Sequence, residues 1–172
     1  LGSRAVPSLL DMLDDTELEG EQCKHVIEAL AVLRERRACE PILLRFDDDE
    51  LHTTAVAAMV AIGHLPPLLS ALSSDNLQTR MGALTAIRRM ADTSAIPALK
   101  IAMLHAETDE REKIVRAYSS IGTDAHPLLI DALTDKAKPV RVAALQGLVM
   151  DQSETLMLKL IAMVDDMDPD VR

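Results

Sequence analysis

Histidine, carboxylate, serine and arginine side chains are where this chain could do chemistry, and their spacing narrows what that chemistry can be. Five histidines, His25, His52, His64, His105 and His126, are scattered along the 172 residues. Ser119 and Ser120 have no base beside them in sequence, and neither a glycine-rich phosphate cradle nor a nucleophile elbow is present. The two serines read as small residues on a packed helix face. Two acidic runs, Asp47-Asp48-Asp49-Glu50 and Asp165-Asp166-Met167-Asp168-Pro169-Asp170, offer oxygen ligands to a hard cation. Asp166, Asp168 and Asp170 alternate as calcium-loop ligands do, but the glycine and distal glutamate of such a loop are missing. Both runs precede expected helices, where carboxylates cap backbone amides and meet the positive helix end. No catalytic residue, metal or cofactor is therefore expected.

Recurring positions carry more information than any single residue. Arg80 and Arg141 fall in one column of the repeating pattern described below, with Thr85, Ser119 and Gln146 in the next and Glu112 and Arg116 nearby. These seven residues are the candidate binding face. The bland alternative is that Arg80 and Arg141 pair with the turn aspartates Asp75 and Asp135 and form a ladder between repeats.

The elements that position this column are short helical hairpins. In Asp124–Met150, Pro127 suits a first helical turn, where its missing amide hydrogen costs nothing, and Leu128, Leu129, Ala132 and Leu133 follow at helical spacing. Thr134 and Asp135 break the pattern, Pro139 opens a second helix, and Val140, Ala143, Ala144 and Leu148 form its small apolar stripe. Neither helix is long enough to be stable alone, so each must bury its stripe against a neighbour. The neighbours are copies: Pro7, Pro41, Pro66, Pro97, Pro127 and Met157 anchor first helices at spacings of roughly 34, 25, 31, 30 and 30 residues, the range of helical arrays. Ala57-Ala58-Met59, Gly82-Ala83-Leu84 and Ala143-Ala144-Leu145 align as second helices, and Gly63 and Gly122 are expected helix stops. Leu68, Leu72, Ala83, Leu99, Leu129, Leu133, Ala144 and Leu148 are the expected core. The turns lengthen at residues 14–21 and 105–113, which predicts a loop or an extra helical turn.

Both ends match the interior of a repeat: Leu1–Pro7 resembles Ile121–Pro127, and Asp168–Arg172 resembles Lys138–Arg141. Without polar capping repeats, residues 1–172 read as one domain taken from a longer array. No stretch has the length or apolarity of a membrane span or the pattern of a signal peptide, and Cys23 and Cys39 lack metal spacing, so free thiols in a reducing, cytoplasmic setting are expected. A net charge of −10 and one tyrosine with one phenylalanine disfavour nucleic acid, which needs summed cationic charge or stacking platforms. Arg34, Arg36, Arg37, Arg88 and Arg89 stand at or after the ends of second helices, where cations offset the helix dipole.

The proline-leucine starts, the Asp135 and Val140-Arg141 opening, and the Ile-Gly ends at Gly63 and Gly122 make the chain similar to HEAT-like repeats of the short type found in phycobilisome lyases and bacterial scaffold proteins. Thr53-Thr54-Ala55 and Lys24-His25-Val26 replace the Val-Arg pair in the first two repeats. The resemblance implies an all-α, right-handed solenoid of antiparallel helical hairpins, with about five full repeats and a partial sixth. It also implies a binder or scaffold, because such repeats carry many functions. HEAT-repeat hydroxylases bind iron through His-Glu pairs; here His105-Ala106-Glu107, on an expected turn, is the nearest approach. A protein partner on the concave face is the first functional expectation. A bilin-lyase-like subunit holding a tetrapyrrole, with Arg80, Arg141 and His126 for its propionates, is the second, and a structural spacer the third.

Overall fold

The computed structural model describes residues 2–14, 18 and 20–148. Among them no strand occurs. The α-helices are α1 (Gly2–Asp14), α2 (Gly20–Val32), α3 (Cys39–Leu43), α4 (His52–Ile62), α5 (Leu65–Ala71), α6 (Leu77–Met90), α7 (Ile96–His105), α8 (Thr108–Ile121), α9 (His126–Ala132) and α10 (Lys138–Gly147). They pair in order as five hairpins among the described residues, in two compact units, Leu1–Met90 and Ala91–Arg172. The expected sixth hairpin, from Met157, and the acidic run Asp165–Asp170 lie outside the described residues.

In the first unit α1 packs on α2, α2 on α4 and α4 on α6, while α3 and α5 pack on each other and on the second helices of their own hairpins. The seam between these layers is the core: Leu13, Ile27, Leu30, Ile42, Phe46, Met59, Leu68, Leu84 and Ile87 are essentially inaccessible. Full burial of each aliphatic side chain contributes about 1.5–3 kcal/mol. That sum lets the five-residue α3 exist, since one turn of helix has no stability of its own. Phe46 fills the space over Gly82, where an added Cβ would stand 2.4 Å from the ring.

The second unit stacks α7/α8 on α9/α10, with α8 against α10 as its main contact. Gly147 makes that approach possible: a Cβ there would lie 2.9 Å from the Ser119 Cβ and 3.1 Å from a Leu129 methyl. All eight expected core residues, from Leu68 to Leu148, are buried.

Local signals explain the boundaries. Prolines occupy the first turns of α5, α7, α9 and α10. Pro7 behaves differently, because α1 runs continuously through it; so close to the helix start it forfeits a single backbone hydrogen bond. Gly63 ends α4 at φ 71° and Gly122 follows α8 at φ 93°, whereas Arg34 and Ala91 take the left-handed conformation at φ 51° and 53° after α2 and α6 without being glycine. Short 3-10 turns introduce α3, α7 and α9. The Glu35 carboxylate caps the first, accepting the Arg37 amide at 3.1 Å, and Asp92 caps the second, accepting the Ser94 amide at 2.9 Å. The lengthened stretch at 105–113 is taken up mainly by helix: α7 continues through His105, two residues turn the chain, and a Glu107/Glu110 capping box starts α8. Of the other long turn, between Asp14 and Gly20, only Leu18 is described. Cys23 and Cys39 are buried free thiols, and burial pushes the Cys39 thiol up to about 11.

Candidate functional site

Four second helices, α4, α6, α8 and α10, share a register set by one hydrogen-bonding side chain near the start of each. His52, Arg80, Arg111 and Arg141 each fold back onto carbonyl oxygens of the preceding turn. Arg80 donates to the Ser74 and Asp75 carbonyls at 2.8 and 3.0 Å, and Arg141 to those of Asp135 and Lys136 at 3.0 and 3.4 Å. Arg111 reaches the Ala106 carbonyl at 3.1 Å, and His52 Nδ1 the Phe46 carbonyl at 2.6 Å. A carbonyl only accepts, so His52 carries its proton on Nδ1. These groups tie off the carbonyls left open at the end of a first helix.

Burial confirms the register. One turn on stand Ala55, Ala83, Ile114 and Ala144, and two turns on stand Met59, Ile87, Tyr118 and Leu148, all buried. The first-unit alignment expected from sequence therefore shifts: Ala55-Val56, not Ala58-Met59, matches Ala83-Leu84, because the apolar doublets of α4 fit either way in sequence and only burial chooses between them.

The register also redistributes the candidate binding face. Thr85, Arg116 and Gln146 share one position along α6, α8 and α10, while Ser119 stands nearly a turn further and packs beneath Gly147. Thr85 is half-buried and returns its hydroxyl to the Met81 carbonyl at 2.8 Å. Arg116 and Glu112 form an ion pair at 2.8 Å on the open side of α8, and Gln146 is exposed on α10. The guanidinium groups of Arg80 and Arg141 lie on their own turns.

Sequence reasoning passed over Arg111. It grips the Asp135 carboxylate with two bonds, Nε to Oδ2 at 2.9 Å and an Nη to Oδ1 at 3.1 Å, with both side chains about nine-tenths buried. Asp135 Oδ1 also accepts the Ala137 amide at 2.8 Å. The usable signal was its distance of one repeat from both Arg80 and Arg141; it was hidden because glutamate, not valine, precedes it. In the first unit Asn76 Nδ2 lies 3.5 Å from Asp47 Oδ2, and Arg45 donates to the Leu13 carbonyl at 3.0 Å.

Other expected features fall into place as structure. Asp48 caps the Glu50 and Leu51 amides at 2.9 and 3.2 Å, as expected of the first acidic run. His25 lies 3.9 Å from Glu21 on α2. Among the described residues no three His, Cys, Asp or Glu side chains gather as metal ligands, and no helix is long and apolar enough to cross a membrane. Two cavities open on the first-helix side of the units: one of about 410 Å³ flanked by Leu44, Asp47, Ser70 and Asn76, and one of about 270 Å³ between α7, α8 and α9.

Comparison with known proteins gives the repeat its name. A family model described as HEAT repeats matches residues 65–149. Those residues are HEAT repeats. No curated protein matches the chain in sequence. Solved structures share its fold, two of them as follows. One is a chain of the complex of CpcE and CpcF of phycocyanin lyase from Nostoc sp. PCC7120, with TM-score 0.56 and 20% identity, over 95% of this chain and 71% of that one. The other is human deoxyhypusine hydroxylase in complex with glycerol, with TM-score 0.53 and 20% identity, over 99% of this chain and 70% of that one. At that identity the likeness is one of fold. Within these repeats the arginines at the second-helix starts and Asp135 bond to the turns, whereas Arg116 and Gln146 are exposed on α8 and α10.

Proposed function

We propose that this HEAT-repeat chain is a protein-binding scaffold whose partner lies along the second helices of the second unit, engaging Arg116 and Glu112 on α8 and Gln146 on α10. The observation that carries this reading is the division of labour among the polar residues of those helices. Arg80, Arg111 and Arg141 are occupied by their turns, while Arg116, Glu112 and Gln146 present charge and amide groups outward at no cost to the turns. An exposed i,i+4 pair stabilises a helix by only a few tenths of a kcal/mol, so its groups are available for exchange with a partner's. The phycocyanin lyase relative was solved as a complex of CpcE with CpcF, which supports a protein as the occupant of such a fold.

The test compares partners captured by the unaltered protein and by the Arg116→Glu, Gln146→Glu double variant. Loss of one specific partner with an unchanged melting temperature supports the reading. Identical capture by both proteins removes this surface from consideration. The bilin-lyase-like reading predicts a visible absorption band in protein purified from its native host, and the spacer reading predicts that neither the band nor a specific partner is found.

A further inference from the structure

Two turns beyond each turn-closing side chain, the second helices place one large buried residue: Met59, Ile87, Tyr118 and Leu148. Three of these have no hydroxyl or amide group. The fourth is the chain's one tyrosine, only 2% exposed, and its hydroxyl makes no hydrogen bond among the described residues. That hydroxyl is not among the side-chain atoms sealed from water, so it is a donor open to whatever fills the space beside it. Tyr118 lines the 270 Å³ cavity between α7, α8 and α9. The rest of the wall is mainly apolar, from Met103, Leu104, Leu128 and Ala132.

We propose that this cavity is a small-molecule subsite in which the Tyr118 hydroxyl donates to the ligand's one buried acceptor. The wall chemistry specifies the ligand. Asp135 also borders the cavity, but its carboxylate is held by Arg111 and the Ala137 amide, so it adds little net charge there. Lys100 and Asp131, both exposed at the mouth, are of opposite sign. The site therefore favours an uncharged molecule with an apolar body and a carbonyl-type oxygen. A volume of 270 Å³ corresponds to roughly nine water-sized groups, which suits a single ring with one substituent. Burial raises the Tyr118 ionisation well above the usual phenol range, so the hydroxyl remains a neutral donor at every pH at which the protein would be used. The site does not depend on a partner bound along the second helices.

Benzamide, an aryl body with one carbonyl acceptor, is the probe, with benzoate and benzylamine as charged controls. The chain has no tryptophan, so its fluorescence reports Tyr118 directly, and the methyl signals of Met103, Leu104 and Leu128 report the walls. The expected result is saturable benzamide binding that moves both sets of signals, with weaker binding of both controls. Tyr118→Phe, followed by the methyl signals, should weaken binding about tenfold, the loss of one hydrogen bond. Ala132→Leu should fill the cavity and abolish binding. Tyr118→Phe should also melt no lower than the unaltered protein, since it removes a hydroxyl without a protein partner. Non-saturable shifts, equal affinity in Tyr118→Phe, or a marked loss of stability in that variant would each overturn the proposal.

Discussion

Arg111 at the start of α8 holds Asp135, in the turn before α10, by a two-point ion pair that is nearly closed to water. A charge pair so enclosed is asymmetric in its energetics: keeping both partners or replacing both is tolerable, whereas removing one strands the other. Arg111→Ala should therefore destabilise the protein by about 3 kcal/mol or more in urea unfolding. Asp135→Asn should cost less than Asp135→Ala, because its amide oxygen can still cap Ala137. In the Arg111→Met, Asp135→Asn double variant the loss should fall short of the sum of the single losses, which a double-mutant cycle reads directly.

Phe46 and Gly82 divide one volume between them. Alanine at 82 gains about 1 kcal/mol of helix propensity, but its methyl would meet the Phe46 ring at 2.4 Å, and overpacking of this kind costs about 1–3 kcal/mol. The clash wins because the ring is fully enclosed and has nowhere to move. Gly82→Ala should lower the melting temperature, and Phe46→Leu in the same chain should make the alanine nearly neutral.

Arg34 and Ala91 take positive φ after α2 and α6, where Gly63, left-handed at the end of α4, shows the residue better suited to it. A non-glycine residue there costs about 1–2 kcal/mol, and glycine returns part of the gain through the entropy of the unfolded chain. Ala91→Gly should raise stability by about 0.5 kcal/mol, whereas Gly63→Ala should lower it. Thermal unfolding of the two variants against the unaltered protein gives the sign of each.

Cys23 and Cys39 are buried, and burial raises both thiols, Cys39 to about 11. The thiolate is the reactive form, so both should react with a disulfide reagent at pH 8 far more slowly than an unfolded control. Their labelling rate should rise in step with the population of open states as urea is added. Fast labelling of the folded protein would contradict the burial of these two helices.

Arg80 and Arg141 close their turns through carbonyl oxygens, so charge reversal there acts on stability first. The Arg80→Glu, Arg141→Glu double variant should melt lower than the unaltered protein, since each new carboxylate faces carbonyl oxygens with no donor to offer. Arg116→Glu, made on the exposed side of α8, should leave the melting temperature within a degree or two. Equal stability of the two variants would remove the distinction between framework and surface arginines.

Sequence by itself determined the hairpins. Helical spacing of Leu128, Leu129, Ala132 and Leu133, prolines in first turns and glycines at 63 and 122 are local properties, readable because each acts on the few residues beside it. The same locality made the buried set from Leu68 to Leu148 legible, since an amphipathic helix has one face it can bury. Tertiary structure decided what depends on another helix. It fixed the register of α4 against α6, which its apolar doublets leave ambiguous in sequence, and it placed Ser119 against Gly147. It also made Arg111 rather than Arg141 the holder of Asp135, and set Tyr118 in the wall of a cavity. Each of these depends on residues brought together from different hairpins, and its energy rests on distances of a few tenths of an ångström, which a sequence pattern does not carry.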